Sequence, residues 1–293
     1  MNRLAAALAW IIVAPGLAAC GGGGGDGRLE FAGFSTLGPG DRVTIEGEAR
    51  TATYRADALR SQVTLDAISS PTNATLNLGI GEDGALDSAR IGSATAPVAF
   101  DTGRGDTIEA LGGALVATSR NGQQVAVLAD PVANRFEYQT FGVWLTGVGA
   151  AQGTLGAGSF GSRTTANSVP RSGTATYEGG STGVYAGPAG FAHATRSDVE
   201  AEVDFDTRRI ALDSRRTVQT EILTGREHEN RLLDFSMVGR VTGAGFGGRV
   251  EAPIGMTGDL TGGFHGPNAE EMGGTFGMTG RGGSYVGAFG GKR

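Results

Sequence analysis

The chain has 293 residues, a formal net charge of -6 at pH 7 and 39% hydrophobic residues. This acidity, with Lys292 the only lysine, argues against nucleic acid, whose binding rests on clustered Lys and Arg, and a single cysteine excludes an internal disulfide. The 53 glycines far exceed the average usage of about 7% but lack collagen's period of three, and so point to the turns and bends of β architecture.

The chain opens on a short basic start, Met1-Asn2-Arg3, followed by an apolar run from Leu4 to Ala14 that contains Trp10, Ile11, Ile12 and Val13. A membrane-spanning helix needs about 20 apolar residues, so this run reads as the core of a signal peptide, residues 1–19. Ala18 and Ala19 suit a cleavage site between Ala19 and Cys20, and the lone Cys20 suits lipid attachment to its thiol. A plain secretory signal with an incidental cysteine is the alternative. Gly21–Gly25 makes residues 20–28 a flexible tether. Gly21 is not acidic, so nothing signals inner-membrane retention.

Residues 29–155 are less regular. Val43–Gly47, Ser61–Ile68, Asn73–Leu78, Gln124–Leu128 and Phe136–Leu145 read as strands of a small twisted sheet with loops. Ala110–Ser119 has helix-like composition, interrupted by Gly112-Gly113. Residues 156–171, rich in Gly, Ser and Thr, read as a linker.

Residues 172–293 alternate more clearly. From Asp198 to Asp206 the apolar Val199, Ala201, Val203 and Phe205 share one face and the acids the other, as in a strand wet on one side. Thr207-Arg208 turns the chain into Ile210 and Leu212, giving a hairpin. Further strands are expected at Thr174–Glu178, Gly183–Ala186, Val218–Leu223, Leu232–Val238, Phe246–Glu251, Asp259–Phe264, Gly274–Met278 and Ser284–Phe289. Eight or nine short strands with Gly-rich turns make a small closed antiparallel barrel. Phe205, Phe235, Leu260, Phe264, Phe276 and Phe289 are its expected core. The fold class is therefore all-β, an N-terminal sheet followed by an eight-stranded barrel.

Four blocks resemble one known family. Gly262-Gly263-Phe264-His265-Gly266-Pro267-Asn268 through Gly273-Gly274-Thr275-Phe276, with the ending Gly287-Ala288-Phe289-Gly290-Gly291-Lys292-Arg293, is similar to the C-terminal signature of the barrel lobes of transferrin-binding protein B and related surface lipoproteins. Tyr138-Gln139-Thr140-Phe141-Gly142-Val143-Trp144 resembles the end of that family's handle domain, Phe160–Thr164 its linker, and Val169–Tyr177 its first barrel strand. The resemblance implies one lobe, a handle domain plus a barrel, anchored by lipid in the outer membrane and exposed at the cell surface. It implies capture of a protein or iron-bearing ligand of transferrin, haemoglobin or solute type, passage to an outer-membrane transporter, and export by the lipoprotein machinery. No ligand-binding residue carries over. The alternative is a periplasm-facing structural or assembly lipoprotein without a soluble ligand.

Other motifs weaken in context. Gly179-Gly180-Ser181-Thr182-Gly183 fits G-x-S-x-G, but a nucleophile elbow needs a strand-to-helix turn, and here the segment reads as a hairpin turn between strands. A hydrolase using Ser181 is thus disfavoured and no enzyme is expected. Gly243–Gly248 fits G-x-G-x-x-G, but strand rather than helix follows. His193, His228 and His265 have no metal-ligand spacing, and no cofactor or metal is expected. Arg104-Gly105-Asp106 is an adhesion-type tripeptide. Phe136, Tyr138, Phe141 and Trp144 either bury a domain junction or form a recognition anchor, which makes Tyr138, Phe141 and Trp144 the ligand-binding candidates.

Overall fold

The computed structural model describes residues 29–57, 62–222 and 224–293. The expected cleavage site at Ala19, the lipidation site at Cys20 and the glycine tether lie outside the described residues.

The first unit is an eleven-stranded sheet. Its strands are β1 (Leu29–Glu30), β2 (Arg42–Asp57), β3 (Gln62–Leu65), β4 (Thr72–Ile80), β5 (Leu86–Gly92), β6 (Val98–Asp101), β7 (Thr107–Leu111), β8 (Ala114–Thr118), β9 (Gln124–Ala129), β10 (Gln139–Thr146) and β11 (Gln152–Gly161). They run in the order β6-β5-β4-β2-β11-β10-β9-β8-β7, with β1 and β3 added on β2. Between β9 and β10 lies α1 (Pro131–Asn134), started by Pro131 and by the Asp130 carboxylate, which accepts the Val132 N–H at 3.0 Å. One face of the sheet buries Trp144, Phe160, Ile45, Leu76 and Phe100 around the sheet's own interior.

Two expectations are corrected here. Ala110–Ser119 is not helical: β7 and β8 form a hairpin about Gly112 and Gly113, whose φ angles are 56° and 83°. That pair matches the left-handed turn that suits strand twist, and it overrides the helix preference of the flanking Ala and Leu. The segment expected as a linker begins later, because β11 runs on to Gly161 between β10 and β2. Its small residues serve a strand buried on both faces.

The second unit is a closed barrel of eight antiparallel strands: β12 (Thr174–Ala186), β13 (Ala192–Asp204), β14 (Arg209–Glu221), β16 (Ser236–Thr242), β17 (Gly245–Ala252), β18 (Met256–His265), β19 (Glu271–Gly280) and β20 (Gly283–Lys292). The short β15 (Glu227–Glu229) pairs antiparallel with the end of β14. Pairing of β12 with β20, Ser181 opposite Phe289, and of β13 with β14 closes the ring. The interior is aromatic, with Phe205, Phe235, Phe264, Phe276, Phe289, Tyr177 and Tyr285 all buried. The expected strand Leu232–Val238 shifts to β16, because Arg231–Leu233 forms a 3-10 turn capped by Asn230.

The Gly179–Gly183 segment is also corrected: it is no turn but the middle of β12. A side chain on Gly179 would fall on the carbonyl of Gly290 across the seam, so glycine here permits close strand approach. Glu227-His228-Glu229, expected as loop, is β15.

Candidate functional site

The two units pack through their sheets. Phe141, Val143, Leu145, Leu155 and Ala157 of β10 and β11 share one buried cluster with Val184, Ala194, Val286 and Ala288 on the outer wall of the barrel. This explains why β19 and β20 read as nearly continuous buried runs. They face the aromatic core on one side and the handle on the other. Gly273 and Gly290 stand where the approach is closest. A side chain on Gly273 would meet Ser159 Oγ, and one on Gly290 would meet the Gln139 amide. The glycines of the C-terminal segment thus form a docking surface.

Polar groups pin the same junction. Arg50, with a side chain 2% exposed, pairs with Asp259 and donates to Thr275 Oγ1 at 3.3 Å. Lys292 Nζ donates to the carbonyls of Asn134 and Arg135 at the end of α1, at 3.1 and 3.2 Å. The buried Glu271 carboxylate accepts the N–H groups of Glu137 at 2.5 Å and Tyr138 at 3.0 Å. Burial pushes Glu271 up to about 7, outweighing those donors. Its register partner is His265, pushed down to about 3 by burial and by the nearby Arg163. The Gln139 amide atoms, Ser159 Oγ and His265 Nδ1 are buried beside them without a hydrogen-bond partner. Unpaired groups of this kind cost about 1–3 kcal/mol each.

At one end of the junction the sheets part into a cleft of about 650 Å³. Tyr54, Val63, Leu65, Leu145, Val148 and Leu155 line it from the handle, and Val184, Ala192 and Ile222 from the barrel. Val63 N–H donates to the Gly190 carbonyl at 2.5 Å, and Gln62 Nε2 to that of Ala189 at 3.2 Å. These bonds hold β3 against the β12–β13 turn. Gly190 suits this contact, since its φ is 83° and a side chain would press on Gln62. Phe191, next along the turn, is 46% exposed. The size, the apolar walls and the position between two units are those of a ligand cleft.

The sequence of residues 169–293 matches the family of C-lobe and N-lobe beta barrels of Tf-binding protein B. The match covers the whole of the barrel. No curated protein matches the chain. Among solved structures, the chain is similar to a single-substitution variant of transferrin binding protein B from Haemophilus parasuis, at 14% identity over 87% of this chain and 76% of that one, TM-score 0.44. It is similar to isotype 1 transferrin binding protein B from Neisseria meningitidis, at 12% identity over 87% and 77%, TM-score 0.43. It is also similar to the N-lobe of lactoferrin binding protein B from Moraxella bovis, at 13% identity over 84% and 98%, TM-score 0.41.

Against this Tf-binding-protein-B-type barrel, the ligand-binding candidates divide. Trp144 is fully buried, donating Nε1–H to the Ala96 carbonyl at 2.6 Å, and Phe141 lies in the junction cluster. Neither offers a face to a ligand. Tyr138 is partly exposed beside the Gly266 turn, away from the cleft lining. Ser181 is buried, with its hydroxyl 2.7 Å from that of Ser197, inside a strand where no elbow exists. In Arg104-Gly105-Asp106, Arg104 pairs with Asp101 and the Asp106 carboxylate accepts the N–H groups of Asp101 and Arg120, so the charges are used locally. Among the described residues, no three His, Cys, Asp or Glu side chains are placed to hold a metal ion. The sequence alone does not point to the cleft. Its signal in the sequence, apolar Leu145, Val148 and Ile222 beside turns, looks like any strand end.

Proposed function

We propose that this chain is a ligand-binding module of the bacterial envelope. Lipidated Cys20 holds it in the outer membrane, the glycine tether projects it at the cell surface, and the junction cleft takes an apolar anchor of a protein ligand. The cleft carries this reading: apolar walls from two units converge on one open cavity, and buried apolar anchors dominate protein recognition. The match to barrels of Tf-binding protein B supports an iron-carrying protein of transferrin type as the ligand, and an outer-membrane transporter as the recipient is part of the same proposal. Several acyl chains on Cys20 would anchor firmly where one would not.

The test is protease shaving of intact cells, with Cys20→Ala as the unanchored control, followed by binding of labelled transferrin, lactoferrin and haemoglobin to wild type and Val148→Asp. The expected outcome is digestion without lysis, and one ligand held by wild type but weakened about tenfold or more by a charge in the cleft. Protection until lysis would instead favour the periplasm-facing structural role. Binding unchanged by Val148→Asp would remove the cleft from the mechanism.

A further inference from the structure

The two ends of the handle sheet are finished differently. At β6 the Ala99 N–H donates to Gln124 Oε1 at 3.3 Å, and the Asp101 N–H to Asp106 Oδ2 at 2.9 Å. Side chains thereby plug that edge. At the other end, β7 pairs with β8 alone. Leu111 and Ala114 are register partners across the two-residue Gly112-Gly113 turn, so they exchange both bonds with each other. Alternation then turns Thr107 and Glu109 toward β8, and leaves the N–H and C=O groups of Ile108 and Ala110 pointing away from the sheet. No side chain among the described residues plugs them. Thr107, Glu109 and Ala110 are exposed, and Leu111 is 38% exposed. Glu109 has no ion-pair partner among the described residues.

An open edge of this kind is a template for another strand. We propose that β7 receives an extended basic peptide segment of a partner protein. Main-chain bonds form to Ile108 and Ala110, apolar side chains lie opposite those two residues, and a Lys or Arg on the alternate face lies opposite Glu109. Charge selects this occupant over a second copy of the chain. The register that pairs residue 108 of one copy with 110 of the other sets Glu109 directly against its own counterpart, and like charges so placed are destabilising. The surface is separate from the cleft, so it stands whether or not the cleft binds a ligand.

The experiment is hydrogen exchange on the detergent-solubilised full chain, with and without a blocked nonapeptide of alternating Val and Lys. Exchange at Ile108 and Ala110 is expected to slow about tenfold or more at saturating peptide, and a Val/Glu peptide to have no effect. Glu109→Lys should exchange the two preferences. Ala110→Pro, which deletes an outward N–H at an edge where proline is tolerated, should abolish protection while Glu109→Lys confirms that the edge itself is intact. Unchanged exchange at both residues overturns the proposal, as does equal protection by both peptides. Protection that rises with protein concentration alone also overturns it, because the occupant would then be a second copy.

Discussion

The barrel ends every strand in another strand, and it fills its interior with phenylalanine and tyrosine. The handle has more strands yet stops short of closure, leaving β6 and β7 as edges, and it shares part of its buried surface with the barrel wall. Closure makes the barrel self-sufficient, whereas the handle draws part of its burial from a neighbour. A scaffold and a surface that leans on it are therefore built from the same kind of strand, and the division of labour lies in what covers the second face.

This contrast is broken most severely at Phe276. Its ring lies 4.4 Å from that of Phe235 and 4.9 Å from that of Tyr285, and Phe276→Ala should cost about 3–5 kcal/mol. Denaturant unfolding followed through Trp144 in the handle should show both units lost in one earlier transition. A Trp144 signal that persists after the barrel unfolds would show that the handle stands alone.

The junction can be sharpened by pH. Glu271 has a folded value raised to about 7, so its contribution to stability is full below about 4.5 and is lost as pH rises toward 7. His265 has a folded value lowered to about 3, so its contribution is full above 6.5 and is lost as pH falls toward 3. Between 4.5 and 6.5 the two oppose one another and nearly cancel. In Glu271→Gln only the histidine remains, and stability should fall by about 1.4 kcal/mol per pH unit on acidification through that window. Thermal unfolding at pH 6.5 and 4.5 measures it, and a slope equal to that of wild type would refute the pairing. The smallest effect is expected at Ser159, whose buried hydroxyl lacks a partner. Ser159→Ala should stabilise by about 1 kcal/mol, raising the melting temperature by roughly 2–4 °C.

The barrel was legible where one face meets water. Val199, Ala201, Val203 and Phe205 announce their strand because Asp198, Glu200 and Glu202 lie outside. Legibility fails where both faces are covered. Gly179–Gly183 and the Gly156–Gly161 stretch look like turn and linker because glycine usually marks those, yet here it answers to a neighbouring backbone or sheet. Ala110–Ser119 fails for a different reason: its turn lies inside a composition that favours helix. The junction groups were beyond reach. Glu271 meets Glu137 and Tyr138 across more than 130 positions of chain, and no local pattern encodes such a meeting. For the candidate site, family resemblance indicates the fold, but Phe141 and Trp144 lie in the interior, Tyr138 sits beside a turn away from the cleft, and the cleft's walls come from strands distant in sequence.

The docking face has a consequence for the order of assembly. Val184 lies on β12 and Ala288 on β20, the two strands joined last in sequence terms, with Ser181 opposite Phe289. Pairings so distant along the chain form slowly. The handle cannot find its complete partner surface until that seam has zipped, because half of the surface lies on each side of it. A docked handle is thus a certificate of a finished barrel, and a cleft walled by both units exists only in molecules that have passed that inspection.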